Sequence, residues 1–168
     1  FFVMATQNQI EMEGTYPLPE AQIDRFMFKL VVTYPSAEEL SEIIDRTTGS
    51  IEPEISCVAT GHDLLTMGGF ARRITIAPHV ARYVVDLVKA TDPQDPSAPE
   101  ISHRYVRYGC SPRAAQSMVL AAKIYALLDG RYNVGFEDVR ASALPSMRHR
   151  LLLNFEAEAD GVTAEQIL

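Results

Sequence analysis

Cysteine is scarce in this chain, and that scarcity excludes a good deal. Cys57 and Cys110 are the only two in 168 residues, they lie far apart, and their spacing fits neither a disulfide framework nor a zinc site. The four histidines (His62, His79, His103 and His149) never pair at i,i+4 with one another or with a cysteine, so no metal site is expected. Long apolar runs are missing as well. Nothing approaches the roughly 18 residues that would read as a membrane span, and the opening Phe1-Phe2-Val3-Met4-Ala5 lacks the basic flank of a signal peptide. Internal repeats and low-complexity segments are also lacking. A reduced, cytoplasmic setting follows as the expectation.

What is present is a normal globular balance, 47% hydrophobic and 22% charged. The net charge of −7 is unevenly spread: −8 over residues 1–100, +5 over 101–150 and −4 over the last 18. The acidic total argues against nonspecific binding of nucleic acid by the whole chain. The basic stretch is either a solvated helix face or a contact for a single anion.

Along the chain, residues 1–6 (FFVMAT) form a continuous apolar run of the kind a covered parallel strand needs. A loop punctuated by Gly14, Pro17 and Pro19 follows, Pro19 opens a short helix, and FKLVVTY reads as a second strand closed by Pro35. Ser36 with Glu39 makes a capping box for a helix to about Thr47, with Leu40, Ile43 and Ile44 as its apolar stripe. From there the pattern is helical. Residues 61–71 read as helix despite Gly68-Gly69, ITIAPH as a short extended piece, and Pro78 as the start of a helix carrying Val80, Val84, Leu87 and Val88. Pro93, Pro96 and Pro99 define a loop long enough to be mobile or to make contacts. Ser111 caps a helix with Pro112 at its first position and Gly130 as its stop, apolar around much of its surface and so expected at the centre. A short extended YNV leads to a helix from about Phe136 that Pro145 should kink or break, and Thr163 with Gln166 caps a last helix cut short by the chain end. The expected fold is mostly α: a strand-helix-strand remnant of an α/β core over residues 1–34, followed by an all-α domain over 35–168, with residues 36–168 expected to hold the independent core.

Three residues stand where chemistry would need them. Asn8 follows the first strand, at the end where parallel sheets place ligands; an amide there can orient water or touch a phosphate, and a plain turn residue is the alternative. Arg25, in Ile23-Asp24-Arg25-Phe26, can stabilise phosphoryl-transfer charge across a subunit boundary, or simply pair with Asp24 or Glu20. Arg113 lies on the first turn of a helix, where its guanidinium and the free N–H groups both suit a phosphate, or where it is merely exposed.

Taken together, ATQNQIEMEGTYPLPEAQIDRF (5–26), KLVVTYPSAEEL, GCSPRA (109–114) and GRYNVGFEDVRASALPSMRHRL (130–151) resemble the MoxR family of AAA+ ATPases, in order and spacing. The chain departs from the family in having Gln9 where proline usually follows the asparagine. The resemblance implies that Asn8 is the sensor 1 asparagine, Arg25 the arginine finger serving the neighbouring subunit, and Arg113 the sensor 2 arginine of a helical lid. It further implies ATP and Mg2+ as ligands of the parent protein, with the Mg2+ ligands outside this chain. The implied assembly is a homo-oligomeric ring, a hexamer on the family pattern, that remodels protein complexes as a chaperone, with von Willebrand factor A domain proteins as partners. A DNA-translocating, helicase-like motor and a lid acting only as an interaction module are the alternatives. The sequence has no G-x-x-x-x-G-K-[ST] loop and no strand ending in a Walker B acidic pair. ATP hydrolysis by this chain alone is therefore not expected.

Overall fold

The architecture was obtained as a computed structural model, which describes residues 2–7, 18–50 and 54–168. Its elements in chain order are α1 (Glu20–Ile23), α2 (Ala37–Thr48), α3 (Gly61–Arg72), β1 (Thr75–Ile76), α4 (Pro78–Lys89), α5 (Glu100–Tyr105), β2 (Val106–Tyr108), α6 (Pro112–Leu128), β3 (Asn133–Val134), α7 (Phe136–Met147), β4 (Leu152–Leu153), α8 (Phe155–Asp160) and α9 (Ala164–Ile167). The protein is mostly helical, as expected.

α6 sits at the centre because its buried set is small. Ala114, Met118, Ala122 and Ala126 recur every four residues, with Ser117 and Ala121 beside them, so α7 and α4 can approach closely. Ile74, Val80, Val84, Val134, Val139 and Met147 close the core around that face. Ser111 begins α6 by accepting from the Arg113 amide at 3.3 Å, with Pro112 in the first turn; Gly130, at φ 71°, takes the left-handed conformation that ends it. Two short ladders tie the ends together. β1 runs parallel to β3, pairing Thr75 with Asn133 and Ile76 with Val134, and β2 runs antiparallel to β4.

The proline-rich loop after α4 is built from tight turns. Asp92 and Asp95 side chains accept from the Gln94 and Ser97 amides, each at 2.9 Å, and Lys89 pairs with Asp95 at 2.8 Å. Thr91, buried beneath it, accepts from the Cys110 amide at 2.9 Å. Gly109 is required by this close crossing, since a Cβ there would stand 2.5 Å from the Thr91 carbonyl oxygen. α7 accommodates Pro145 within its last turn and ends at Met147.

One expectation needs correction: no strand forms over residues 2–7 or 27–35. A strand exists only against a partner, and the described chain supplies none; Phe2, Met4 and Val32 remain exposed. The buried core falls within 36–168 and occupies the later part of that range. Every buried described residue lies between Ile74 and Ala157. α2 forms with its capping box, Glu39 accepting from the Ser36 amide at 2.8 Å, but Leu40, Ile43 and Ile44 are left uncovered among the described residues. Capping fixes where such a helix begins; only a facing surface can bury its stripe.

Candidate functional site

The three candidate residues fare differently. Asn8 lies outside the described residues. Arg25 sits in the turn after α1, exposed, and its guanidinium makes no hydrogen bond or ion pair among the described residues. Arg113 is on the first turn of α6, half-exposed, and the structure brings it against the residue that precedes Arg25. Its Nη1 donates to Asp24 Oδ2 at 2.9 Å.

Asp24 is the hub of this site. Its Oδ1 accepts from Ser111 Oγ at 2.6 Å and from Arg150 Nε at 3.1 Å. The same Ser111 hydroxyl caps α6, so the start of the central helix and the turn carrying Arg25 share one hydrogen-bonded oxygen. Burial by itself would raise the Asp24 pKa, but the bonds from Ser111, Arg113 and Arg150 outweigh it and hold the carboxyl below its ordinary value. Asp24 is therefore an anion at neutral pH. It does not pair with Arg25, so the plain alternative considered for that arginine is not the arrangement found.

Arg150 supplies the anchor. Its side chain is only 2% exposed and follows the end of α7. Besides the Asp24 carboxylate it donates to the backbone carbonyls of Asp24 at 2.9 Å, Phe26 at 2.7 Å, Met27 at 3.3 Å and, very closely, Ser146. A planar fork with five N–H groups is suited to collecting carbonyls in this way. His149 adds a bond through Nε2 to the Phe26 carbonyl at 3.0 Å, and the Lys29 amide donates to the Pro145 carbonyl at 2.9 Å. Burial pushes the His149 pKa down, against the pull of the Phe26 carbonyl, and its Nδ1 is buried without a hydrogen-bond partner among the described residues. The neutral ring with the proton on Nε2 fits both facts.

Sequence reasoning missed Asp24 as a hub, along with Arg150 and His149. The available signal was the Arg148-His149-Arg150 cluster after a proline-bearing helix, but its burial cannot be read from type alone. Cys110 is inert beside this site: burial pushes its thiol up to about 11. Among the described residues no group of three or more His, Cys, Asp or Glu is placed to hold a metal ion, and no helix is long and apolar enough to cross a membrane.

A helical body with one arginine on the first turn of its central helix is thus docked on a turn carrying a second, exposed arginine. Comparison with known proteins finds relatives for both segments. Residues 98–168 match the AAA lid domain, and residues 1–28 match the ATPase family associated with various cellular activities (AAA). "Chaperone MoxR1" of Mycobacterium tuberculosis is 41% identical over 168 residues, covering all of this chain and 44% of that protein. "Uncharacterized protein YeaC" of Bacillus subtilis is 38% identical over all of this chain and 50% of its own length. "Protein MoxR" of Paracoccus denitrificans is 34% identical over 90% of this chain and 48% of its own. A crystal structure from Cytophaga hutchinsonii, described as a "putative ATPase", superposes with a TM-score of 0.89 at 36% identity, covering 96% of this chain and 49% of that one. The chain belongs to the MoxR family of AAA+ ATPases. It spans about half the length of the curated relatives it matches.

Proposed function

We propose that this chain supplies the finger and lid of an ATP-hydrolysing remodelling machine, a cytoplasmic homo-oligomeric ring acting as a chaperone in the maturation of protein complexes. The division proposed is the end of the ATPase core over 1–34 and the helical lid over 35–168. The observation that carries the reading is the Asp24 hub. It ties the turn bearing an exposed Arg25 to the helix start bearing Arg113, so the position of the lid and the position of the finger are mechanically linked. In this reading Arg25 reaches the phosphates bound by the neighbouring subunit, where a fixed positive charge stabilises the transferring phosphoryl group. Arg113 meets the phosphates from the lid side, and Asn8 orients the attacking water. Proteins with von Willebrand factor A domains are the proposed partners, on the family resemblance.

Mg2+ would neutralise phosphate charge in the whole enzyme. The described residues offer no ligand set for it, so no step is assigned to it here. The sequence also lacks the phosphate-loop lysine and the Walker B acid, and we expect no turnover from this chain alone. ATP hydrolysis by the isolated chain above background would refute that expectation.

The test of the central reading is ATPase activity of the full-length protein carrying Arg25→Ala. Turnover should fall by about a thousandfold or more, the usual worth of an arginine finger, while nucleotide binding persists. Mixing with a subunit that keeps Arg25 but cannot itself bind ATP should restore part of the activity, because each supplies what the other lacks. Unchanged turnover in the variant would remove Arg25 from the mechanism.

A further inference from the structure

Two arginines share the Asp24 carboxylate, and they are not equivalent. Arg150 reaches Oδ1 with a side chain 2% exposed, and it is held independently by the carbonyls of Asp24, Phe26, Met27 and Ser146. Arg113 reaches Oδ2 through a single bond at 2.9 Å from a side chain 47% exposed, with no other side-chain partner among the described residues. Removing Arg113 from Asp24 would leave the carboxylate still paired with Arg150 and Ser111 and still partly open to water. Removing Arg150 would take away the carboxylate's buried partner and one donor from each of four carbonyls at once. One contact is built to persist and the other can be exchanged at low cost, as half-exposed ion pairs generally can.

We infer that Asp24 is a positioning residue that holds Arg113 as a stand-in for phosphate and releases it when nucleotide binds, while Arg150 keeps Asp24 and the Arg25 turn in place. This rests on the reading of Arg113 as the lid arginine that meets the nucleotide. Both anions recruit the guanidinium by the same charge-assisted bond, so they compete for it. Asp24 thus sets how much of the lid's affinity for nucleotide is spent on breaking an internal pair, and it makes lid release conditional on an anion arriving. The neutral amide of Asp24→Asn can still accept from Ser111 and leaves the four carbonyl bonds of Arg150 intact, so the turn stays docked while the competitor loses its charge.

The experiment is titration of the full-length protein with a non-hydrolysable ATP analogue and Mg2+, comparing wild type, Asp24→Asn, Arg113→Ala and the double variant. Asp24→Asn should bind the analogue about two- to fivefold more tightly, the worth of one half-exposed ion pair, and KM for ATP should fall without a rise in kcat. A purely structural role would weaken binding or leave it alone, so the gain is the informative sign. Arg113→Ala should bind more weakly, and in the double variant the gain from Asp24→Asn should vanish. No tightening in Asp24→Asn while Arg113→Ala still weakens binding would overturn the exchange and leave the lid-arginine reading standing. Unchanged binding in Arg113→Ala would overturn that reading and the exchange with it. Structures of the full-length wild type with and without the analogue decide the same question without a variant. Arg113 should leave Asp24 while Arg150 stays, and Arg113 still on Asp24 with the analogue bound would overturn the inference.

Discussion

Arg150→Ala is the substitution that should most sharply separate docking of the Arg25 turn from folding of the helical body. The wild-type side chain makes five donor contacts: one to the Asp24 carboxylate and four to carbonyls. Removing one partner of a buried ion pair typically costs 3–5 kcal/mol when the stranded charge has no other recourse. Here it has some, because Asp24 keeps Arg113 and Ser111 and its side chain is 23% exposed. The carbonyls of Asp24, Phe26 and Met27 can also turn to water if their segment lifts away. The loss should therefore sit at the lower end, about 3 kcal/mol, and appear mainly as local undocking. Native-state hydrogen exchange reads this directly. The Lys29 amide, bonded to the Pro145 carbonyl, should lose most of its protection, while amides within α6 change far less. Arg150→Lys should recover less than half of the effect, because an ammonium keeps the charge but cannot span five acceptors. Unaltered protection at Lys29, or equal loss throughout α6, would refute the claim that Arg150 is the clamp.

Two further outcomes follow from the same region. Stability of the chain should fall as pH drops below 6.5. The depressed pKa of His149 means that its contribution is complete above the unfolded value of 6.5 and is lost as pH falls through the folded value. Asp24 has the same sign and adds a second loss only below 3.8. Urea midpoints measured against pH should show both limbs, and His149→Gln should flatten the upper one alone; an unchanged upper limb in that variant would assign it elsewhere. The two thiols should also differ. Exposed Cys57 should alkylate readily in the native protein at pH 8, whereas Cys110, half-buried with its thiol pushed up to about 11, should stay unmodified until the protein unfolds. Equal labelling by mass spectrometry would show that the strand-to-helix corner opens.

Much of the helical body could be read from the sequence because its signals are local. Ser36 with Glu39, Pro78, and Ser111 with Pro112 each fix a helix start by hydrogen bonding or a preset φ, and α2, α4 and α6 begin there. The extended pieces at Thr75–Ile76 and Asn133–Val134 were also visible, though their pairing was not, since two-residue strands carry no period to match. α5, β2, β4 and α8 escaped for the same reason: they are short and held by distant partners, such as Arg104 on Glu156 and Asp160 at 2.6 and 3.1 Å. The apolar runs at 2–6 and 28–34 read as strands because composition records what a segment is suited to bury, not whether the burying surface is present. Arg25 and Arg113 stood out by position. Asp24 and Arg150 did not, because a buried charge is defined by its partners, here 126 residues apart in sequence.

The way the Arg25 turn is attached bears on how it could move against the helical body. The helical body closes on itself, with all its buried described residues from Ile74 onward, so it does not need the preceding segment to complete an apolar core. That segment, whose Ile23, Phe26 and Phe28 are only half-buried, is fastened in large part by polar contacts: a carboxylate, a hydroxyl, two arginines, a histidine and one backbone bond from Lys29. An apolar seam of equal strength would have to expose its whole area to water before it could shift. A polar one can trade contacts singly, because each freed group finds water or an incoming anion at once, and the net loss per bond is only about 1 kcal/mol. Such an attachment is suited to a part that must change its angle many times without coming loose. The same logic sets a limit: the persistent contact must be the buried one. If Arg150 rather than Arg113 were the group that let go, four carbonyls would each lose a donor together, and the turn would be released rather than re-aimed.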